Sequence, residues 1–112
     1  MDVFSALADP TRRTIVELLA SNGKLSMTDI FSNFSMSQPA ISQHLKVLRE
    51  AKLVDMEKSA QKHLYKINPS KFLEIEGWIH KMTKVWNDRF DVLNDLLENE
   101  KRMEVKNKKK HE

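Results

Sequence analysis

The chain has no cysteine, which removes disulfides, thiolate nucleophiles, iron–sulfur clusters and every thiolate metal site in one step. A reducing, cytoplasmic location is the simplest home for it. Glycine occurs only at Gly23 and Gly77, so there is no phosphate-cradling loop and no Gly-x-Ser-x-Gly elbow. With Pro10, Pro39 and Pro69 the only prolines, long helices with few turns are favoured. No apolar run exceeds three residues, which excludes a transmembrane helix, and Met1-Asp2 followed by a mixed segment is not a secretory signal. The expectation is a soluble protein with no membrane partner.

Chemistry-bearing clusters are equally scarce. His44, His63, His80 and His111 are at least 17 positions apart, so no helical pair can chelate a metal. Acidic pairs such as Glu74/Glu76 and Asp91/Asp95 lie in a segment rich in acids and belong to a solvated face. The reading is therefore no catalytic residues, no metal, no cofactor and no enzymatic activity.

What the 112 residues do contain is an uneven charge. The formal charge of +3, from 19 Lys+Arg and 16 Asp+Glu, is too small by itself to argue a polyanion partner. Residues 24–66, however, carry seven basic against four acidic side chains, whereas 67–104 carry six against eight. The chain is read as one domain over 1–104, with 105–112 a disordered, solvated basic tail.

Asp9-Pro10 offers a capping carboxylate and a proline at the first helical position, Ile15, Val16, Leu18 and Leu19 follow as an apolar face, and Asn22-Gly23 supplies a stop. Ser26-Met27-Thr28-Asp29 resembles a capping box, with Met27, Ile30, Phe31 and Phe34 at helical spacing behind it. After a break of about three residues at Ser35-Met36-Ser37, Ser37 caps a second helix on which Ile41, Leu45 and Leu48 recur at i, i+4, i+7. Two short helices so joined make a helix-turn-helix. From Val54 to Ile67 the period changes to two, which predicts a two-stranded ribbon with a polar tip at Ser59-Ala60-Gln61. The fold class is mostly α with a small β-hairpin.

At about 100° per residue, the helix 38–50 puts Ile41, Leu45 and Leu48 on one side and Gln38, Ser42, Gln43, Lys46 and Arg49 on the other. Short amides and hydroxyls near the N-terminal end can reach base edges, and the cations further along can reach phosphates of double-stranded DNA. Gln38 and Gln43 are the best readers, because a carboxamide pairs bidentately with adenine. Ser37 joins this end. Lys58, Lys62 and His63 flank the ribbon tip and suit phosphate or minor-groove contact. His44, at the edge of the apolar face, serves either packing or a phosphate.

After Asn68-Pro69-Ser70 a helix of roughly thirty residues is expected. Phe72, Ile79, Trp86 and Leu93 form one heptad seam, and Ile75, Met82, Arg89 and Leu96 the other, with Trp78, Val85, Phe90, Val92 and Leu97 on the flanks. Such a stripe is wider than one small domain covers, which points to the same helix of a second subunit. The alternative is that it only covers its own domain. Gly77 costs about 1 kcal/mol in a helix relative to alanine, with close packing as its one explanation.

Phe4-x-x-Leu7-Ala8-Asp9-Pro10-Thr11-Arg12-Arg13-x-Ile15-Val16, then 34–48 as Phe-Ser-Met-Ser-Gln-Pro-Ala-Ile-Ser-Gln-His-Leu-Lys-Val-Leu, then Leu53-Val54 and Tyr65-x-Ile67, resemble the ArsR family of winged-helix repressors. Trp78, Trp86, Arg89, Leu93 and Leu97 resemble a metal-free branch of it. The resemblance spans about residues 3–100. It implies a winged helix-turn-helix with a long C-terminal dimerisation helix. It also implies a homodimer on a partly palindromic operator, with recognition helices (38–50) in successive major grooves and wings (54–67) outside, and it adds Phe4 and Leu7 to the interface. Three departures stand out. Ser26-Met27-Thr28 replaces the Cys-Val-Cys of the metal sensors, and hydroxyls are poor ligands for soft metals. The glycines usual before the wing and at its tip are Lys52 and Ala60, and the tip arginine is Gln61. The remaining alternatives are an adaptor whose basic helix docks an acidic protein, and a DNA binder with an unknown small-molecule or protein inducer.

Overall fold

A computed structural model describes residues 2–111, with side chains for 2–91 and 93–100. The element order is α1 (Val3–Leu7), α2 (Pro10–Asn22), β1 (Lys24–Ser26), α3 (Met27–Phe31), α4 (Gln38–Glu50), β2 (Val54–Ser59), β3 (Lys62–Ile67) and α5 (Pro69–His111). The chain divides into two compact units, Met1–Leu73 and Glu74–Glu112, where a single domain over 1–104 is expected from the sequence.

The helix starts of the first unit follow from their caps. Asp2 accepts from Ser5 N–H at 2.8 Å and Asp9 from Arg12 N–H at 3.0 Å. Ser26 and Asp29 form the full capping box: Ser26 Oγ accepts from Asp29 N–H and Asp29 Oδ2 from Ser26 N–H, each at 3.2 Å. Ser37 Oγ accepts from Ala40 N–H at 3.4 Å. Each cap satisfies a backbone donor that has no partner inside the helix.

The connection from α3 to α4 covers residues 32–37, six residues rather than about three, because α3 ends at Phe31 and not near Phe34. The cause is local. Ser32 Oγ and Asn33 Nδ2 both donate to Asp29 O, each at 2.8 Å, an alternative to the helical ladder that such side chains commonly offer.

The hairpin of β2 and β3 pairs antiparallel from Val54↔Ile67 to Ser59↔Lys62. A third strand, not expected, adds to its far side: β1 pairs with β3 through Leu25↔Tyr65, giving the order β1-β3-β2. At the tip the two-residue loop Ala60-Gln61 has positive φ on Ala60, 54°. Lys52, just before the wing, also has positive φ, 62°. Both stand where the family resemblance implies glycine, and both adopt the backbone glycine is used for.

The core of this unit is fully apolar. Ile15, Leu19, Ile30, Ile41, Leu45, Leu48, Leu53 and Val54 are the largest fully buried side chains, drawn from α2, α3, α4 and the wing. Among the described residues no buried polar side-chain atom lacks a partner. Arg12 and Arg13 secure α1, whose last carbonyls have no helical partners. Arg12 Nε donates to Ala6 O at 2.6 Å and Arg13 Nη1 to Leu7 O at 2.8 Å.

α5 is a single helix of 43 residues, longer than the roughly thirty expected. Residues 105–111, expected as a disordered tail, continue the helix in this structure. Without glycine or proline after Gly77, the chain carries no strong stop. Glu112 lies outside the described residues. At Gly77 a Cβ would meet nothing within 4 Å, so close packing inside the chain does not explain that glycine. Among the described residues no helix is long and apolar enough to cross a membrane.

Candidate nucleic-acid interface

α4 separates its two faces as the sequence predicts. Ile41, Leu45, Val47 and Leu48 are buried, while Gln38, Ser42, Gln43, Lys46 and Arg49 are all exposed. Burial of Ile41, Leu45 and Leu48 on one arc fixes the helix rotation, since each would cost roughly 1.5–3 kcal/mol to expose. Five hydrogen-bond donors or acceptors are therefore presented together on the other arc.

Ser37 has a structural role as the α4 N-cap. His44 departs from its neighbours. It is half-buried, with Nδ1 3.4 Å from Arg12 Nη1 and 4.0 Å from Asp9 Oδ2. Asp9 is held below the ordinary carboxylate value chiefly by the Arg12 N–H bond, with the charges of His44 and Arg12 assisting.

Lys58, Lys62 and His63 are exposed on the hairpin, next to the tip. The base of the wing is different. Glu57 on β2 pairs with Lys24 on β1 and with Lys66 on β3 at 3.4 Å, one carboxylate bridging all three strands. Lys24 first, then Lys66, hold Glu57 below its ordinary value. One negative charge is thereby shared between two lysines of the basic block, leaving the trio a net charge of +1. An open groove of about 610 Å³ runs between α4 and the wing, lined by Ser42, Gln61, Lys62 and His63 together with 26–29 of α3. Asp29 also lowers the positive character of this groove, because it stays ionised: its carboxyl is held low by the Ser26 hydroxyl and N–H, with a smaller effect from Lys62.

In the second unit, Trp78, Ile79, Met82, Val85, Trp86, Phe90, Leu93, Leu96 and Leu97 are all exposed in the single chain, Trp86 by 66%. Phe4 is half exposed; Leu7, Phe72 and Ile75 are half-buried. Among the described residues no three His, Cys, Asp or Glu side chains converge as a metal site.

The matching family is described as "Bacterial regulatory protein, arsR family" and covers residues 9–56, from the start of α2 into β2. The chain is 35% identical over 78 residues to the transcriptional repressor SdpR of Bacillus subtilis (strain 168), spanning 70% of this chain and 86% of that one. It is 33% identical over 92 residues to the arsenical resistance operon repressor of Staphylococcus xylosus, spanning 82% and 77% respectively. Among solved structures, a possible transcriptional regulator for arsenical resistance superposes with a TM-score of 0.66 at 34% identity, over 73% of this chain and 84% of that one. With a helix-turn-helix whose polar arc is free and relatives of this kind, the chain belongs to the arsR family of bacterial regulatory proteins and is a DNA-binding transcriptional regulator.

Proposed function

We propose that the protein is a homodimeric repressor of a partly palindromic operator, acting in the cytoplasm without sensing a metal. The observation that carries this is the exposed arc of Gln38, Ser42, Gln43, Lys46 and Arg49 on a helix whose rotation is fixed by its buried side. Gln38, Ser42 and Gln43 read base edges, while Lys46, Arg49, Lys58 and Lys62 neutralise phosphates, with His63 beside them. The exposed stripe on α5 supports the homodimer, because so much apolar surface on one helix calls for a partner. Ser26 supports the absence of metal sensing: its hydroxyl caps α3, and neither it nor Thr28 offers a soft ligand. A small-molecule or protein inducer is compatible with this reading and has no assigned residues.

The test is selection of bound sites from random duplex DNA, followed by titration at increasing salt. An inverted repeat with half-sites one helical turn apart is expected. The log–log salt slope should be near −0.9 per neutralised phosphate, or about −3.6 per subunit for four cations. Gln43→Ala should relax sequence preference, and Lys62→Ala should weaken all sequences alike. Failure to retard any duplex, with capture of an acidic protein instead, would favour a protein-docking adaptor.

A further inference from the structure

The exit from α4 and the entry to α5 are joined by one side chain used at both ends. α4 closes in a Schellman turn: Lys52 N–H donates to Arg49 O and Leu53 N–H to Leu48 O, both at 3.0 Å, with Lys52 in the left-handed region. Asn68, on the far side of the wing in sequence, bonds to this turn twice. Its N–H donates to Leu53 O and its Nδ2 to Lys52 O, both at 2.9 Å. The same residue caps α5, since its Oδ1 accepts from Ser70 N–H at 3.1 Å and its carbonyl from Lys71 N–H at 3.2 Å.

Capping alone does not call for asparagine, because aspartate and serine cap equally well. A carboxylate has no donor and a serine hydroxyl has one oxygen for both tasks, whereas a carboxamide supplies an acceptor to the α5 amide and, from a separate atom, a donor to the Lys52 carbonyl in the turn after α4. The second bond goes to the turn that closes the recognition helix, just past its C-cap. Side chains on that helix read bases only within hydrogen-bond distance, about 2.7–3.2 Å. A small swing of α4 relative to the start of α5 would therefore cost base contacts.

We propose that Asn68 is a positioning residue for operator reading. It locks the recognition helix to the first turn of α5, so that the two recognition helices of the dimer present one fixed spacing, of the order of 34 Å, to successive major grooves. This rests on the homodimer reading above and names the part that would give that dimer its ruler.

Asn68→Asp and Asn68→Ser both keep a cap for α5; the carboxylate has no donor for Lys52 O, and the shorter serine side chain has no second polar atom to reach it. Each is titrated against its selected operator and against operators with one base pair added or removed between the half-sites. Wild type should discriminate between spacings by about tenfold or more. Both variants should lose roughly tenfold on the native spacing and discriminate less than about threefold, a change on the scale of one mismatched base pair. Dimer mass, salt slope and unfolding temperature should stay near wild type, which a merely structural role would not allow. Variants with wild-type spacing discrimination overturn the inference. So does an affinity loss that vanishes on cooling the assay, or failure of both variants to fold. A wild-type protein that is monomeric or indifferent to spacing takes down the dimer reading as well, and so is told apart from a failure of Asn68 alone.

Discussion

The two units of this chain obey opposite rules of surface chemistry. In the first, the large apolar side chains of α2, α3, α4 and the wing are buried, and the helix ends are closed by side-chain caps. In the second, a single helix carries Trp78 and Trp86 with Ile79, Val85, Leu93, Leu96 and Leu97, all of them exposed. The first is built to keep its own core and offer polar groups outward. Among the described residues of the second, no side chain is buried. Stability thus belongs to the first stretch of sequence and the proposed dimerisation to the second, and each can be perturbed separately.

The sharpest way to break that division is to charge the second unit. Trp86→Asp with Leu93→Asp should give a monomer by sedimentation and lower affinity for a two-half-site operator by roughly 10²–10⁴-fold through lost avidity. Thermal unfolding of the winged unit should still be cooperative; a variant that remains a dimer would contradict the assignment. Next in size, Leu45→Ala empties a site that is 1% exposed at the centre of α4. It should cost about 2–5 kcal/mol by urea unfolding, and a loss under about 1 kcal/mol would mean that the first unit's core is not where its stability lies.

Much of this contrast is legible in the sequence because it depends on period. Ile41, Leu45 and Leu48 announce the buried side of α4, and Ser37 its start; the stripe from Phe72 to Leu97 announces the exposed helix. Shorter or non-local features are not legible. α1 and β1 span five and three residues, too few for a period, and β1 is recognised only through pairing with β3 some forty positions on. The contact of His44 with Arg12, 32 positions away, has no signal in the sequence. Lys24 and Lys66 count as free charge until Glu57 is found between them. The turn after α3 is longer than expected because two side chains compete for Asp29 O.

Smaller effects refine the picture of the first unit. Ala60→Gly and Lys52→Gly relieve left-handed backbone at each end of the wing. Each should raise stability by about 1 kcal/mol, the residual of a 1–2 kcal/mol strain less the entropy of glycine. An unchanged urea midpoint would show that the wing does not fold with the rest. The smallest effect concerns acid. Asp2, Asp9, Asp29 and Glu57 are all held below their ordinary values in the folded chain. Their contribution is present above the unfolded carboxylate range near pH 4 and is lost as pH falls through the lower folded values. Asp9→Asn keeps a capping oxygen and removes the charge, so its stability should decline less steeply below about pH 4 than that of wild type. Parallel acid profiles would remove Asp9 from the account.

The start of the recognition helix has a consequence for how it meets a duplex. Pro39, at its second position, has no N–H, and the Ala40 N–H is already taken by Ser37. Of the four amides that a helix normally leaves open at this end, those of Ser37 and Gln38 remain. A phosphate arriving there finds half the usual backbone donors. Grip on the sugar–phosphate rail is thus shifted to lysine and arginine further along, and the front of the helix is left to the side chains that discriminate between base pairs.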